Sequence, residues 1–171
     1  IDRLLGEGGF SKVYLAKWRE TFVVAKVISP EVCKEKKELV LREIDIMTRL
    51  HHPNIVQFLG YARTPALTLV IELFPEGSVE RFVPREKPGQ KTSLRFCIDM
   101  ALAIEYLHSR QPSIVIHRDI KPSNIMIDEE GSVRLMDPIT PTLKRYMTVL
   151  GARDGYLGDA YFPPEVRNAA G

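Results

Sequence analysis

The octet His117-Arg118-Asp119-Ile120-Lys121-Pro122-Ser123-Asn124 puts a carboxylate, an ammonium and an amide close together. Lys121 stands two positions after Asp119, and Asn124 stands five. A second carboxylate, Asp137, follows thirteen residues after Asn124. Phosphoryl transfer from a magnesium nucleotide needs such a set. One carboxylate accepts the proton of the attacking hydroxyl. A cation sits against the moving phosphoryl group. An amide oxygen and another carboxylate hold the metal.

Three further runs could serve the same chemistry. Gly6-Glu7-Gly8-Gly9-Phe10-Ser11-Lys12-Val13 lies between two predicted strands. Glycines there let backbone N–H groups approach anionic phosphates with no side chain in the way. An ordinary glycine-rich hairpin has the same composition, and a strand rather than a helix follows, which does not suit a dinucleotide fold. Lys26 interrupts an apolar strand. A lone lysine there would send its head to solvent along its stem. Glu43, on a helix with an apolar face, offers it a carboxylate instead, and a buried lysine needs such a partner. Leu69-Val70-Ile71-Glu72-Leu73-Phe74 runs into a break, and a strand end of this kind gives adenine an apolar surface and backbone groups at its edge.

The elements that must position these residues follow from periodicity. Leu4-Leu5, Val13–Leu15 and Phe22–Ile28 read as strands around a glycine turn. Ser29-Pro30-Glu31 reads as a helix start, and Val40, Ile44, Met47 and Leu50 give that helix one apolar face. Ile55-Val56 and Leu67–Ile71 supply two more strands. The expected architecture is a five-stranded sheet with one helix. Pro75-Glu76-Gly77 breaks the chain. A short helix is expected from Ser78 to Pro84, then a polar loop to Gln90, then a long helix capped by Thr92 or Ser93 and ending at His108. Ile125–Ile127 and Val133–Leu135 read as a hairpin. Pro138 to Gly158 reads as a long loop.

Bulk properties narrow the classes. With 171 residues the chain can bury one sizeable core or two small ones. Lys+Arg 24 against Asp+Glu 22 leaves a net charge of +2, which gives no case for a nucleic-acid or membrane surface. Cys33 and Cys97 have no metal or redox spacing and read as reduced thiols of a cytoplasmic protein. His51, His52 and His108 likewise lack metal-ligand spacing. No apolar run is long enough to span a bilayer, and no signal peptide opens the chain. A start at Ile1 is what a segment of something longer would show.

The order of glycine loop, strand lysine, helix glutamate, His-Arg-Asp loop and metal aspartate resembles the eukaryotic protein-kinase family, from about Leu4 to Val166. Lys121 two residues after Asp119 is the serine/threonine pattern, and the Ile114-Val115-Ile116 lead-in resembles the tyrosine-kinase-like serine/threonine group. The resemblance implies an α+β, two-lobe fold: an N-lobe over 1–73, with a five-stranded antiparallel sheet and one helix, and a partial, mainly helical C-lobe over 74–171. It implies ATP and Mg2+ as cofactors, a protein substrate and signalling by phosphorylation. Asp119 would be the base, Lys121 would neutralise the transferring group, and Asn124 and Asp137 would hold the metal. Lys26, supported by Glu43, would contact the phosphates. Leu5, Gly6, Glu7, Gly8, Gly9, Phe10, Ser11, Val13, Val24 and Met126 would surround the nucleotide, with Ile71 as gatekeeper and Glu72 and Phe74 at the hinge. Arg118 beside Asp119 would answer to phosphorylation of the long loop by an upstream kinase, at Thr140, Thr142, Tyr146, Thr148 or Tyr156.

Four departures from the family pattern stand out, and two of them, Pro138 and Val24, favour a second reading, a kinase-like module that binds and transfers nothing. Asp-Phe-Gly is replaced by Asp137-Pro138-Ile139. A lost buried phenylalanine costs about 3–5 kcal/mol in general, enough to make an assembled state the minor one. Val24 stands where the family has alanine over the adenine, and extra methyls in a packed slot cost roughly 1–3 kcal/mol. Ala-Pro-Glu becomes Pro163-Pro164-Glu165, with Gly158 where a threonine is expected. The later helices of the larger lobe are missing, so apolar surface should be exposed there.

Overall fold

The structure is a computed structural model that describes residues 1–8, 11–35 and 37–136, with Val32, Glu35, Lys37, Leu39 and Glu43 described in backbone only. Strands β1 (Arg3–Gly8), β2 (Ser11–Trp18), β3 (Thr21–Ile28), β4 (Phe58–Ala62) and β5 (Thr68–Glu72) form one antiparallel sheet in the order β1-β2-β3-β5-β4. β3 is nearly all β-branched and aromatic, as a strand covered on both faces requires. The β2–β3 hairpin turns through Arg19 and Glu20, whose φ angles of 48° and 66° are left-handed without help from glycine.

Helices α1 (Pro30–Glu35) and α2 (Lys37–Thr48) stand where a single helix was expected, and Lys36 between them lies outside the described residues. The helix does begin at Pro30, and the Cys33 N–H closes its first turn on the Ser29 carbonyl at 3.1 Å. Val40, Ile44 and Met47 of α2 pack on Ile28, Phe58, Leu69 and Ile71 of the sheet. Each such side chain contributes about 1.5–3 kcal/mol by leaving water. The opposite sheet face carries a smaller cluster, Ala16, Val23 and Ala25 with Tyr14 and Val70.

The expected strand at Ile55-Val56 does not join this sheet. Residues 54–56 pair instead with β7 (Val133–Leu135), the partner of β6 (Ile125–Ile127) in a hairpin. The Leu135 N–H donates to the Asn54 carbonyl at 2.9 Å, the Val56 N–H to the Leu135 carbonyl at 3.0 Å, and Asn54 Nδ2 to the Val133 carbonyl at 3.0 Å. A period of two marks a strand but does not choose its neighbour, and here the neighbour lies far along the chain.

The second part holds α3 (Val79–Glu86) and α4 (Gln90–His108). α3 continues through Pro84, contrary to expectation, and ends on Lys87, whose left-handed N–H bonds the Val83 carbonyl. Among its described residues none is buried, so the N–H that proline lacks leaves a carbonyl near solvent rather than in a core. α4 begins at Gln90 with Gly89 at its cap, earlier than Thr92 or Ser93. The Ser93 hydroxyl donates back to the Gly89 carbonyl at 3.2 Å instead of capping. Phe96, Ala103 and Leu107 are buried, and Leu107 and Ala103 pack with Leu50, Ile55 and Leu135. Leu94, Ile98 and Leu102, four apart, remain 61%, 52% and 44% exposed, which is the apolar surface expected on the larger lobe.

Candidate active site

A single tight turn, Pro122–Asn124, folds the octet 117–124 back on itself. The Asn124 N–H closes it on the Lys121 carbonyl at 2.9 Å. This returns the Asn124 amide to Asp119, where Nδ2 donates to the backbone carbonyl at 2.7 Å and to Oδ2 at 2.9 Å. Lys121 Nζ lies 3.2 Å from Oδ1. Each oxygen of this buried carboxylate therefore meets at least one donor. The arrangement leaves the Asn124 side-chain oxygen as that residue's remaining acceptor.

His117 is also buried. Its Nδ1 accepts from the Asp119 N–H at 3.3 Å, so the neutral ring carries its proton on Nε2, which donates to the Met136 carbonyl at 3.0 Å. The Met136 N–H donates to the Asn124 carbonyl at 2.8 Å. The residue before Asp137 is thus tied on both sides to the octet. Between His117 and Asp119 the backbone of Arg118 is left-handed, with φ 64°. A non-glycine residue held there costs of order 1–3 kcal/mol and persists only when its surroundings fix it. The histidine and asparagine bonds do so.

The sheet carries the other candidate residues. Lys26 of β3 faces Val13 of β2 and Leu69 of β5 in register, and Val24 faces Leu15 and Ile71. By alternation Lys26, Val24, Ile71 and Val13 share one sheet face. Ile71 and Phe74 are buried in the main core, and Val24 and Met126 pack partly buried against it. Leu5 is half exposed, at a register shift between Leu4 and Gly6. Gly6 pairs with Val13, Gly8 with Ser11, and Glu7 with Lys12. Glu7 and Lys12 form an ion pair at 3.0 Å, whose hydrogen bond holds the Lys12 ammonium above its ordinary pKa. Gly9, Phe10, Asp137 and the Glu43 side chain lie outside the described residues, as do Pro138, Gly158 and the candidate phosphorylation sites. The structure thus brings Asp119, Lys121 and Asn124 into contact and sets Lys26, Val24 and Ile71 on one sheet face.

Two arrangements had no local signal in the sequence. Arg134 of β7 reaches Glu72 at the end of β5, Nη1 to Oε2 3.2 Å, and Asp128, Nε to Oδ2 3.2 Å, with its guanidinium 5.9 Å from the Phe74 ring centre. Glu72 Oε1 also accepts the Gln57 N–H at 2.6 Å. So the Glu72 side chain braces the two parts of the chain, apart from any backbone role at a hinge. The second arrangement joins His52 to α4. Its ring lies 4.8 Å from that of Tyr106, Nδ1 accepts the Asn54 N–H at 3.1 Å, and the Tyr106 hydroxyl accepts the His51 N–H at 2.9 Å. Burial lowers the His52 pKa, with Glu105 opposing.

The family described as the protein kinase domain matches residues 1–166. This chain belongs to the protein kinase family. The kinase domain is 32% identical over 172 residues to chitin elicitor receptor kinase 1 of Physcomitrium patens, covering 96% of this chain and 26% of that protein. It is 34% identical over 172 residues to serine/threonine-protein kinase CTR1 of Arabidopsis thaliana, covering 97% of this chain and 21% of the relative. A probable serine/threonine-protein kinase of Arabidopsis thaliana, SIS8, is 37% identical over 170 residues, covering 97% and 16%. The kinase domain therefore spans about a quarter or less of the length of these relatives. Among the described residues, no helix is long and apolar enough to cross a membrane.

The described donors of the kinase domain fit Mg2+ with ATP. Among the described residues the site offers one hard oxygen for a metal, the Asn124 amide oxygen, with the Lys121 ammonium beside Asp119. Such donors suit magnesium and phosphate rather than a soft metal.

Proposed function

We propose that this kinase domain transfers the gamma phosphoryl group of ATP to serine or threonine hydroxyls of a protein substrate. The observation that carries the reading is the buried Asp119 carboxylate, held between Lys121 Nζ at 3.2 Å and Asn124 Nδ2 at 2.9 Å. Serine/threonine kinase names among the relatives support the acceptor class.

When bound, Mg-ATP supplies the phosphoryl group and the metal's charge. Asp119 orients the acceptor hydroxyl and takes its proton. Lys121, beside that carboxylate, places its ammonium against the negative charge of the group in transit. Asn124, whose side-chain nitrogen is engaged by Asp119, would offer its amide oxygen to the metal, and Asp137 would be the second ligand. Lys26, with Glu43 as its partner, would hold the phosphates, and the glycine run would supply backbone N–H groups to them. Val24, Met126 and Ile71 would bound the base, and backbone groups at Glu72 and Phe74 would meet its edge. The lobes divide at 73/74, the domain acts in the cytoplasm, and an upstream kinase acts on the segment after Asp137.

A second reading, binding without transfer, is favoured by Pro138 and Val24. Phosphotransfer from radiolabelled Mg-ATP to a serine- and threonine-containing peptide pool, assayed with this segment inside its longer chain, decides between them. Incorporation abolished by Asp119→Asn supports the enzyme. Mg-ATP binding with no incorporation supports the binding module.

A further inference from the structure

The short strand β7 leads the chain to Asp137, and its two edges are held differently. One edge pairs with β6. On the other, the Leu135 N–H donates to the Asn54 carbonyl at 2.9 Å, and the Val133 N–H donates to Asp99 Oδ2 at 3.0 Å. Val133 is 0% exposed. A buried N–H without an acceptor is costly, so the Asp99 carboxylate stands in for the carbonyl of a further strand. Aspartate disfavours a helix interior, and in the middle of α4 it serves β7 rather than its own helix. Arg95, one turn earlier on the same helix face, donates from Nη2 to the Gly131 carbonyl at the hairpin turn. Phe96 packs with Val133, and Ala103 and Leu107 pack with Leu135. These apolar contacts are non-directional, so they press β7 onto α4 without fixing its position along the helix. A hydrogen bond to one N–H is directional and does fix it.

We infer that Asp99 is a positioning residue for the metal ligand Asp137. By fixing β7 at Val133 it sets where the strand delivers that carboxylate relative to the Asn124 amide oxygen. The connection is short. Val133 and Leu135 are held as above, Met136 is bonded to Asn124 through its N–H and to His117 through its carbonyl, and Asp137 comes next in the chain. The inference rests on the metal–nucleotide reading of the site, and its test reads metal-dependent binding, so it does not depend on phosphotransfer.

The test uses this segment inside its longer chain, with Mn2+ as the metal probe and a fluorescent ATP analogue. The Mn2+ concentration for half-maximal nucleotide binding is measured beside the melting temperature. Asp99→Ala should raise the Mn2+ requirement roughly tenfold, the scale on which groups that orient a metal ligand act. Asp99→Asn keeps a side-chain oxygen for the Val133 N–H and should stay near the parent value. Asp99→Glu keeps the charge but moves the acceptor by one methylene, so it should give a smaller rise, and it carries the test if the alanine variant does not fold. Val23→Ala, in the buried cluster on the opposite sheet face, should lower the melting temperature and leave the Mn2+ requirement alone, which separates positioning from stability. An unchanged requirement in the Ala and Glu variants, a rise in Asp99→Asn as large as in Asp99→Ala, or an equal rise in Val23→Ala would each overturn the inference while the nucleotide reading stands. No nucleotide bound by the parent chain at any Mn2+ concentration would overturn both.

Discussion

Arg134 Nη1 stands 3.2 Å from Glu72 Oε2, joining the last strand of the five-stranded sheet to the hairpin of the other lobe. The side chains are only about a quarter exposed, at 27% and 26%. Asp128 and the Phe74 ring fix the arginine from two other directions. A pair held in this way is screened less than a surface pair.

A double-mutant cycle with Arg134→Met and Glu72→Gln should therefore show a coupling of about 1 kcal/mol in urea unfolding, above most exposed pairs. The two single variants should each lower the unfolding midpoint. Strict additivity would show that the brace contributes nothing.

Asp119→Asn should cut phosphotransfer by roughly 10²–10⁴-fold. Asparagine keeps the shape and can still meet Asn124, so Mg-ATP binding and the melting temperature should change little. A variant that transfers at the original rate would remove Asp119 as the base.

Acidification should weaken the His52 contact. Burial holds the folded pKa below the ordinary 6.5. Above that value both states are neutral and the group is indifferent to pH. Below it the unfolded chain takes up the proton first, so stability falls until the folded pKa is passed. His52→Phe keeps a ring against Tyr106 and should flatten the melting profile as pH falls below the ordinary histidine value. A profile that falls as steeply in the variant would exclude His52 as a contributor.

Val24→Ala should tighten Mg-ATP about tenfold, on the view that two methyls crowd the base. It should also lower stability slightly, because Val24 packs against the main core. Calorimetric titration measures the first effect. Unchanged or weaker binding would mean that the base does not meet this residue.

Much of the frame was legible because its signals are local. The strand residues of β1, β2, β3 and β5, the helix start at Pro30 and the hairpin at 125–135 follow from alternation, capping and turn residues. The errors lie where a local signal is ambiguous. Ile55-Val56 is β-branched, as strands often are, but pairs with β7. Ser93 is a good cap by type, yet its hydroxyl turns back to the Gly89 carbonyl. Pro84 is a good stop signal, yet α3 runs through it on a face with no buried residue.

The sequence by itself determined the chemical inventory: which carboxylates, cations and amide stand near Asp119, and at what spacing. Those contacts span five residues or fewer, and one tight turn is enough to form them. Only the tertiary structure decided how that loop is held and oriented. The His117 proton sits on Nε2 because the Met136 carbonyl, nineteen positions away, is there to accept it. Glu72 became a brace because Arg134, sixty-two positions on, reaches it. Long-range contacts of this kind depend on how the sheet, the helices and the hairpin pack together, and no window of neighbouring residues carries that information.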